Sequence, residues 1–174
     1  MLGVVMSALA LSATAAPEGA VPEISAVMHQ YASMALSPDG RKIASVETVR
    51  EPYATTEQHG AVVIRSSDGK IVSQLDVCPK CKYSGLSWHR NSDWVAFVAS
   101  ADGVATLYGA APRSIGAPVD AEHPYIPHRI AELHGLLASP RWSPWGNSIA
   151  VLATAGARIR GICLMYSIFE DMGI

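Results

Sequence analysis

The chain has 174 residues, 49% of them hydrophobic and 16% charged, with a net charge of −2. That composition suits a folded chain with a real core and excludes a disordered one. It lacks the basic excess of a nucleic-acid surface, and no apolar run approaches the roughly 18 residues that cross a bilayer as a helix.

The first element is the apolar stretch MLGVVMSALALSATAAPEG. Ala13-Thr14-Ala15 fits a small-x-small cleavage site, so residues 1–15 read as a signal peptide and the mature chain as starting at Ala16. Its amino-terminal part carries no Lys or Arg. The same run also suits a buried first strand or helix. Export to a periplasm or to the outside is the expectation, and disulfides form there.

Next comes MALSPDGRKIASV, residues 34–46. Pro38 presets φ, Asp39 can bond the local backbone and Gly40 accepts positive φ, so Ser37-Pro38-Asp39-Gly40 is a turn between two strands. AVVIRSSDGKIVSQLDV follows as a hairpin, with Val62–Arg65 and Ile71–Val77 as strands about Asp68-Gly69.

The pattern then recurs. LSWHRNSDWVAFV (residues 86–98) and PRWSPWGNSIAVL (residues 140–152) align with MALSPDGRKIASV without gaps. Leu36, Trp88 and Trp142 share one column. Ile43, Val95 and Ile149 share a second, and Ala44, Ala96 and Ala150 a third. The second copy has lost Pro and Gly, and Asn91 is its best turn former. A period of about 50 residues points to propeller blades or a similar array. ATLYGA (residues 105–110) and RIAEL (residues 129–133) supply the outer strands of the second copy, although HRIAELHGLL also fits a short amphipathic helix. The expected fold is therefore all-β. It is a partial β-propeller of about two and a half four-stranded antiparallel blades, spanning 22–158, with blades about 31–77, 83–134 and 138–155.

Two and a half blades leave an open apolar edge. The chain thus reads as the front part of a longer protein. After Arg158 the repeat stops, and IRGICLMYSIFEDMGI reads as an aberrant tail over 159–174 that stays outside the sheet ladder. Met165, Ile168, Phe169 and Met172 make a short helical stripe, so a capping helix is the alternative.

ALSPDGRKIASV, LSWHRNSDWVAFVASADGVATLY and IAELHGLLASPRWSPWGNSIAVLATAGAR resemble the N-terminal, TolB-like propeller of secreted prolyl oligopeptidase family serine peptidases, the dipeptidyl- and acylaminoacyl-peptidase types. The resemblance implies a C-terminal α/β-hydrolase domain, absent here, with a Ser-Asp-His triad. It also implies that the propeller gates the active site and filters peptide substrates. No G-x-S-x-G elbow occurs in this chain. No catalytic residue is assigned, and Glu47, Glu51, Glu57, Glu122 and Glu132 match no family motif. The alternative is a stand-alone periplasmic TolB-like propeller that binds partner proteins.

Cys78-Pro79-Lys80-Cys81 is the one compact chemical motif. A structural zinc site needs four ligands, and a thioredoxin-like pair needs a βαβ unit. A local disulfide between Cys78 and Cys81 is the expectation, with Cys163 unpaired. His123, His128 and His134 lie five and six apart, which is no helical ligand spacing. No metal or cofactor is expected.

Overall fold

The computed structural model describes residues 27–51, 58–112 and 124–155, and the backbone of 162–167. The reading of 1–15 as a signal peptide lies outside those residues.

The described chain is all β. β1 (Met28–Leu36), β2 (Lys42–Arg50), β3 (Gly60–Ser66) and β4 (Ile71–Leu75) form one antiparallel sheet in chain order. β5 (Lys82–Trp88), β6 (Val95–Ala101), β7 (Val104–Pro112), β8 (Tyr125–Trp142), β9 (Ser148–Ala155) and β10 (Ile162–Ser167) form a second, continuous one.

The second sheet is two blades joined through β8. Residues Tyr125–His134 of β8 pair with β7, and Gly135–Trp142 pair with β9. Gly135, at φ 147, marks the change of partner. The region expected as two separate strands is thus one long strand, outer in blade 2 and inner in blade 3. The helical alternative for residues 128–137 is not adopted, because both edges of this segment find ladder partners.

The repeat columns occupy equivalent places. Leu36 pairs with Ile43, Trp88 with Val95 and Trp142 with Ile149, each as the last pair before a turn. The turns also match. Gly40, Ser92 and Gly146 donate their N–H to the carbonyls of Ser37, His89 and Ser143, at 2.9 Å each. All three have positive φ. In the second copy it is Ser92, rather than Asn91, that takes the left-handed conformation glycine holds in the others.

Successive blades pack front to back. The front of blade 1 (Ala44, Val46, Val62, Ile64) meets the back of blade 2 (Trp88, Val95, Phe97). The front of blade 2 (Ala96, Val98, Leu107) meets the back of blade 3 (Ile149, Val151, Ala153). One hydrogen bond recurs between blades. The Trp88 indole N–H donates to the Ala35 carbonyl at 2.9 Å, and the Trp142 indole N–H to the Ser87 carbonyl at 3.1 Å. This is why large aromatics sit in that column: each ring fills the core while its polar edge finds an acceptor in the preceding blade.

The tail expectation needs correction. β10 lies within 159–174 and pairs antiparallel with β9, from Ile162 opposite Ala153 to Ser167 opposite Ser148. Among the described residues blade 3 therefore has three strands. The reason is the ladder itself: the edge of β9 offers a row of backbone donors and acceptors, and ICLMYS is short and apolar enough to read as strand or helix. Residues 159–161 and 168–174 lie outside the described residues.

Candidate binding rim

The two rims of the blades differ in what they expose. The turn rim carries the three tight turns, and they are tied to one another. The Asp39 N–H donates to Ser92 Oγ at 3.0 Å, and Lys42 Nζ donates to the Ser92 carbonyl at 2.7 Å. Lys42 Nζ also lies 5.7 Å from the Trp88 ring centre and 5.8 Å from that of Tyr125. Burial lowers the Lys42 ammonium below its ordinary value, against the opposing pull of Asp39 and Asp93. His89 bonds Asp93 at 3.0 Å and meets the Trp142 ring edge-on at 4.8 Å. A side chain at residue 146 would collide with the His89 ring, so Gly146 is required for packing as well as for its φ. These groups are spent on holding blades together.

The opposite rim is open. Here the β4–β5 loop crosses from blade 1 to blade 2. Cys78 and Cys81 are joined by a disulfide, with Cα atoms 5.4 Å apart. Tyr83, at the start of β5, anchors the loop. Its hydroxyl donates to Asp76 Oδ1 at 2.7 Å and accepts from the N–H groups of Val77 at 2.8 Å and Cys78 at 3.3 Å. His59 Nε2 reaches the same Asp76 oxygen at 2.9 Å. Burial tends to raise the Asp76 carboxyl, but the hydrogen bonds from His59 and Tyr83 outweigh it and hold the group below the usual carboxylate range. Burial, with the Asp76 carboxylate beside it, pushes the Tyr83 hydroxyl up to about 12. Asp76 therefore stays ionised and Tyr83 protonated across neutral pH.

Two clefts open on this rim. One, of about 320 Å³, lies between blades 1 and 2; Val46, Thr48, His59, Cys81 and Tyr83 are among its walls. The other, of about 260 Å³, lies between blades 2 and 3, and is walled by Ser100, Asp102, Gly103 and Leu136 among others. Lys80 and Lys82 line both. The disulfide loop thus forms a basic ridge between two neighbouring clefts. Such a surface can take an extended segment, with side chains entering both clefts and polar or acidic groups meeting the lysines.

Inner strands approach closely below the ridge. A Cβ on Gly85 would stand 2.6 Å from Pro140 Cδ, and Gly85 has φ 63. It sits at a β-bulge in β5, and Ser139, at φ 51, sits at the equivalent bulge in β8.

The residues singled out in the sequence are scattered by the fold. Cys78 and Cys81 fall in the ridge. Glu47 is on β2, on the far side of blade 1. His128 lies 6.0 Å from the Trp94 ring, away from both clefts. His123, Glu57 and Glu122 lie outside the described residues, and nothing is described of the Cys163 side chain. His59, Asp76, Lys82 and Tyr83 carried no motif, Lys80 stood only as a spacer within Cys78-Pro79-Lys80-Cys81, and a cleft assembled across two blades has no local signature.

Known proteins agree with this architecture. The family model of the lipoprotein LpqB β-propeller domain matches residues 11–140. Among solved structures, TolB from Acinetobacter baumannii is similar with a TM-score of 0.54 at 17% identity, over 80% of this chain. The match covers 30% of that chain, so this sequence spans under a third of TolB. No curated protein matches. The TolB likeness establishes a shared fold, and the family match reaches from residue 11 through all of blades 1 and 2 into the inner strand of blade 3. The chain belongs to the lipoprotein LpqB β-propeller domain family.

Proposed function

We propose that this chain is the propeller segment of an exported envelope protein and that its open rim binds an extended segment of a partner protein. One observation carries the reading: two clefts stand side by side between consecutive blades and share Lys80 and Lys82. Export is supported by the Cys78–Cys81 disulfide, which suits an oxidising compartment. The small-residue-terminated leader and the lipoprotein and TolB relatives support it as well.

A second reading keeps the same rim and changes its purpose. The third repeat stretch, IAELHGLLASPRWSPWGNSIAVL, resembles the gating propeller of prolyl oligopeptidase family peptidases. The peptide at the rim would then be a substrate on its way to a hydrolase domain in the parent protein.

Photocrosslinking in cells tests the first reading. A photoreactive residue at Lys80, in the full chain with its own leader, should yield a covalent adduct with an envelope protein. The same residue at Lys70, on the distant β3–β4 hairpin, should yield none. Equal adducts at both positions, or none at Lys80, overturn it. A fluorophosphonate probe tests what the two readings share. Neither reading places a nucleophile in this chain, so labelling should not exceed that of a denatured control.

A further inference from the structure

We infer that the Cys78–Cys81 disulfide is a redox switch on the open rim. Oxidised, it holds Lys80 between the two clefts; reduction by a dithiol releases Lys80 and weakens capture of the extended segment. This regulation rests on the reading of the rim as a surface that binds such a segment.

Position comes first. The disulfide closes a ring of four residues, Cys78-Pro79-Lys80-Cys81. Pro79, Lys80 and Cys81 are walls of the cleft between blades 1 and 2, and Lys80 is also a wall of the cleft between blades 2 and 3. The bond therefore fixes the part of the loop that the clefts share. Pro79 and Lys80 are exposed and both cysteines are half-buried, so the ring sits at the surface within reach of a thiol.

The loop is seated on the blades by other groups. Tyr83, 6% exposed, accepts from the N–H groups of Val77 and Cys78 and donates to Asp76. Val77 and Cys81 pack against the core between blades 1 and 2. Across the ring itself, the Cys81 N–H donates to the Cys78 carbonyl at 3.2 Å. A bond at the long end of the range does not by itself keep a surface turn closed. Cutting the disulfide thus leaves the base of the loop in place and frees its tip. What is lost is pre-organisation: apparent affinity falls with the fraction of chains that still hold Lys80 across the clefts.

The exchange balances. A thiolate of the dithiol attacks one sulfur of the pair, forms a mixed disulfide and expels the other cysteine as a thiolate. The second thiol of the reductant then attacks the mixed disulfide. Two protein thiols result, the reductant leaves as its own disulfide, and its two protons end on Cys78 and Cys81. The cationic Lys80, between the two cysteines in the chain, favours approach of the anionic attacking species.

Two measurements on the full chain test this. In the first, the purified chain is reduced with dithiothreitol, alkylation with peptide mapping reports the state of the pair, and hydrogen exchange reports the loop. The Lys80 and Cys81 amides should exchange at least about tenfold faster after reduction, while Val77 and β5 keep their protection. Lost protection at Val77 or β5 overturns the inference, because the bond is then a staple of the fold. Unchanged exchange at Cys81, or a pair that stays oxidised in excess dithiothreitol, overturns it too. In the second, a photoreactive residue at Ser100, a cleft wall that leaves Lys80 and Lys82 in place, is compared in cells in the parent and in Cys78→Ser/Cys81→Ser, which fixes the open state. Adduct yield in the variant should be lower by about tenfold. Equal yields overturn the switch and leave the binding reading standing. No adduct in the parent overturns the binding reading, and the switch with it. Thermal melts show whether the variant folds, and an unfolded variant again makes the bond a staple and overturns the inference.

Discussion

The two ends of the blade array are built from the same columns and are chemically opposite. At one end, the back of blade 1 holds Ile43, Ser45 and Glu47, with Arg65 closing over the carboxylate. At the other, the front of blade 3 holds Ala150, Leu152 and Thr154, with no counter-charge between them. Between the ends, every face in these columns is apolar and covered. A repeat fixes where side chains point, and the residues placed there decide whether a blade stops the stack or invites another sheet. The back of blade 1 is buried around its ion pair, with Ser45, Val63 and Glu47 all enclosed, whereas the front of blade 3 leaves Leu152 54% exposed.

The largest way to break the contrast is to unpair its polar end. Arg65→Ala leaves Glu47, whose side chain is 5% exposed, without its cation. The expected loss is about 3 kcal/mol, the low end for a broken buried pair because Arg65 keeps some hydration. The pH dependence should change with it. The hydrogen bond from Arg65, more than any other contact, holds the Glu47 carboxyl below its ordinary 4.5. A folded-state value below the unfolded one gives stability that is present above 4.5 and lost as the pH falls through the lowered value. In the variant, burial is left to raise the carboxyl, so acid sensitivity should begin at higher pH. Urea titrations at neutral and mildly acidic pH measure both effects. Equal midpoints for parent and variant at neutral pH would show that the pair stabilises nothing.

The columns behind this contrast were legible in the sequence because the repeat recurs at about 50 residues and each copy keeps its strand-turn-strand pattern. Trp88 and Trp142 were placed by alignment alone, and their pairs with Val95 and Ile149 follow it. Other features were not legible. The single strand β8 hid behind a segment that satisfies helical and strand periods equally. β10 was missed because a six-residue run with five apolar positions has no period of its own, and only the free edge of β9 selects strand for it. The rim clefts depend on His59, Tyr83 and Gly103 meeting across loops far apart in the chain, which no local pattern encodes. Of the candidate site, only the Cys78–Cys81 pair was visible, because a disulfide announces itself by spacing.

The next effect concerns the rim rather than the ends, and it sharpens the comparison by leaving them intact. Replacing both Cys78 and Cys81 with Ser opens a four-residue loop, for which chain entropy predicts a loss of about 2 kcal/mol. Tyr83 still anchors the loop through Asp76 and two backbone N–H groups. The loss should therefore stay at that size, and calorimetry of parent and variant checks it; a loss well above that figure would show that the disulfide, rather than Tyr83, holds the loop.

A third change converts one end into the likeness of the other. Ser45→Val, Glu47→Ala and Arg65→Met together give the back of blade 1 an interior character. Replacing a buried ion pair by apolar groups of similar volume is often neutral or stabilising, so the expected stability change is within about 1 kcal/mol. Denaturation midpoints of parent and variant check this, and a loss above about 2 kcal/mol would show that the ion pair is worth more there than an apolar core.

The smallest effect concerns the indole column. Leu36 occupies the place where blades 2 and 3 carry Trp88 and Trp142, and among the described residues no blade lies behind it. In the interior, each indole gains a carbonyl of the preceding blade, Ala35 for Trp88 and Ser87 for Trp142. Trp142→Phe keeps the ring and deletes the donor, so it should cost about 1 kcal/mol, the net worth of one hydrogen bond. Leu36→Trp is the mirror experiment. Leu36 is exposed, and a donor placed there meets solvent, so stability should stay within about 0.5 kcal/mol of the parent. Denaturation midpoints for the two substitutions therefore test whether the worth of the indole comes from the carbonyl of the preceding blade; equal losses for both, or none for Trp142→Phe, would show that it does not.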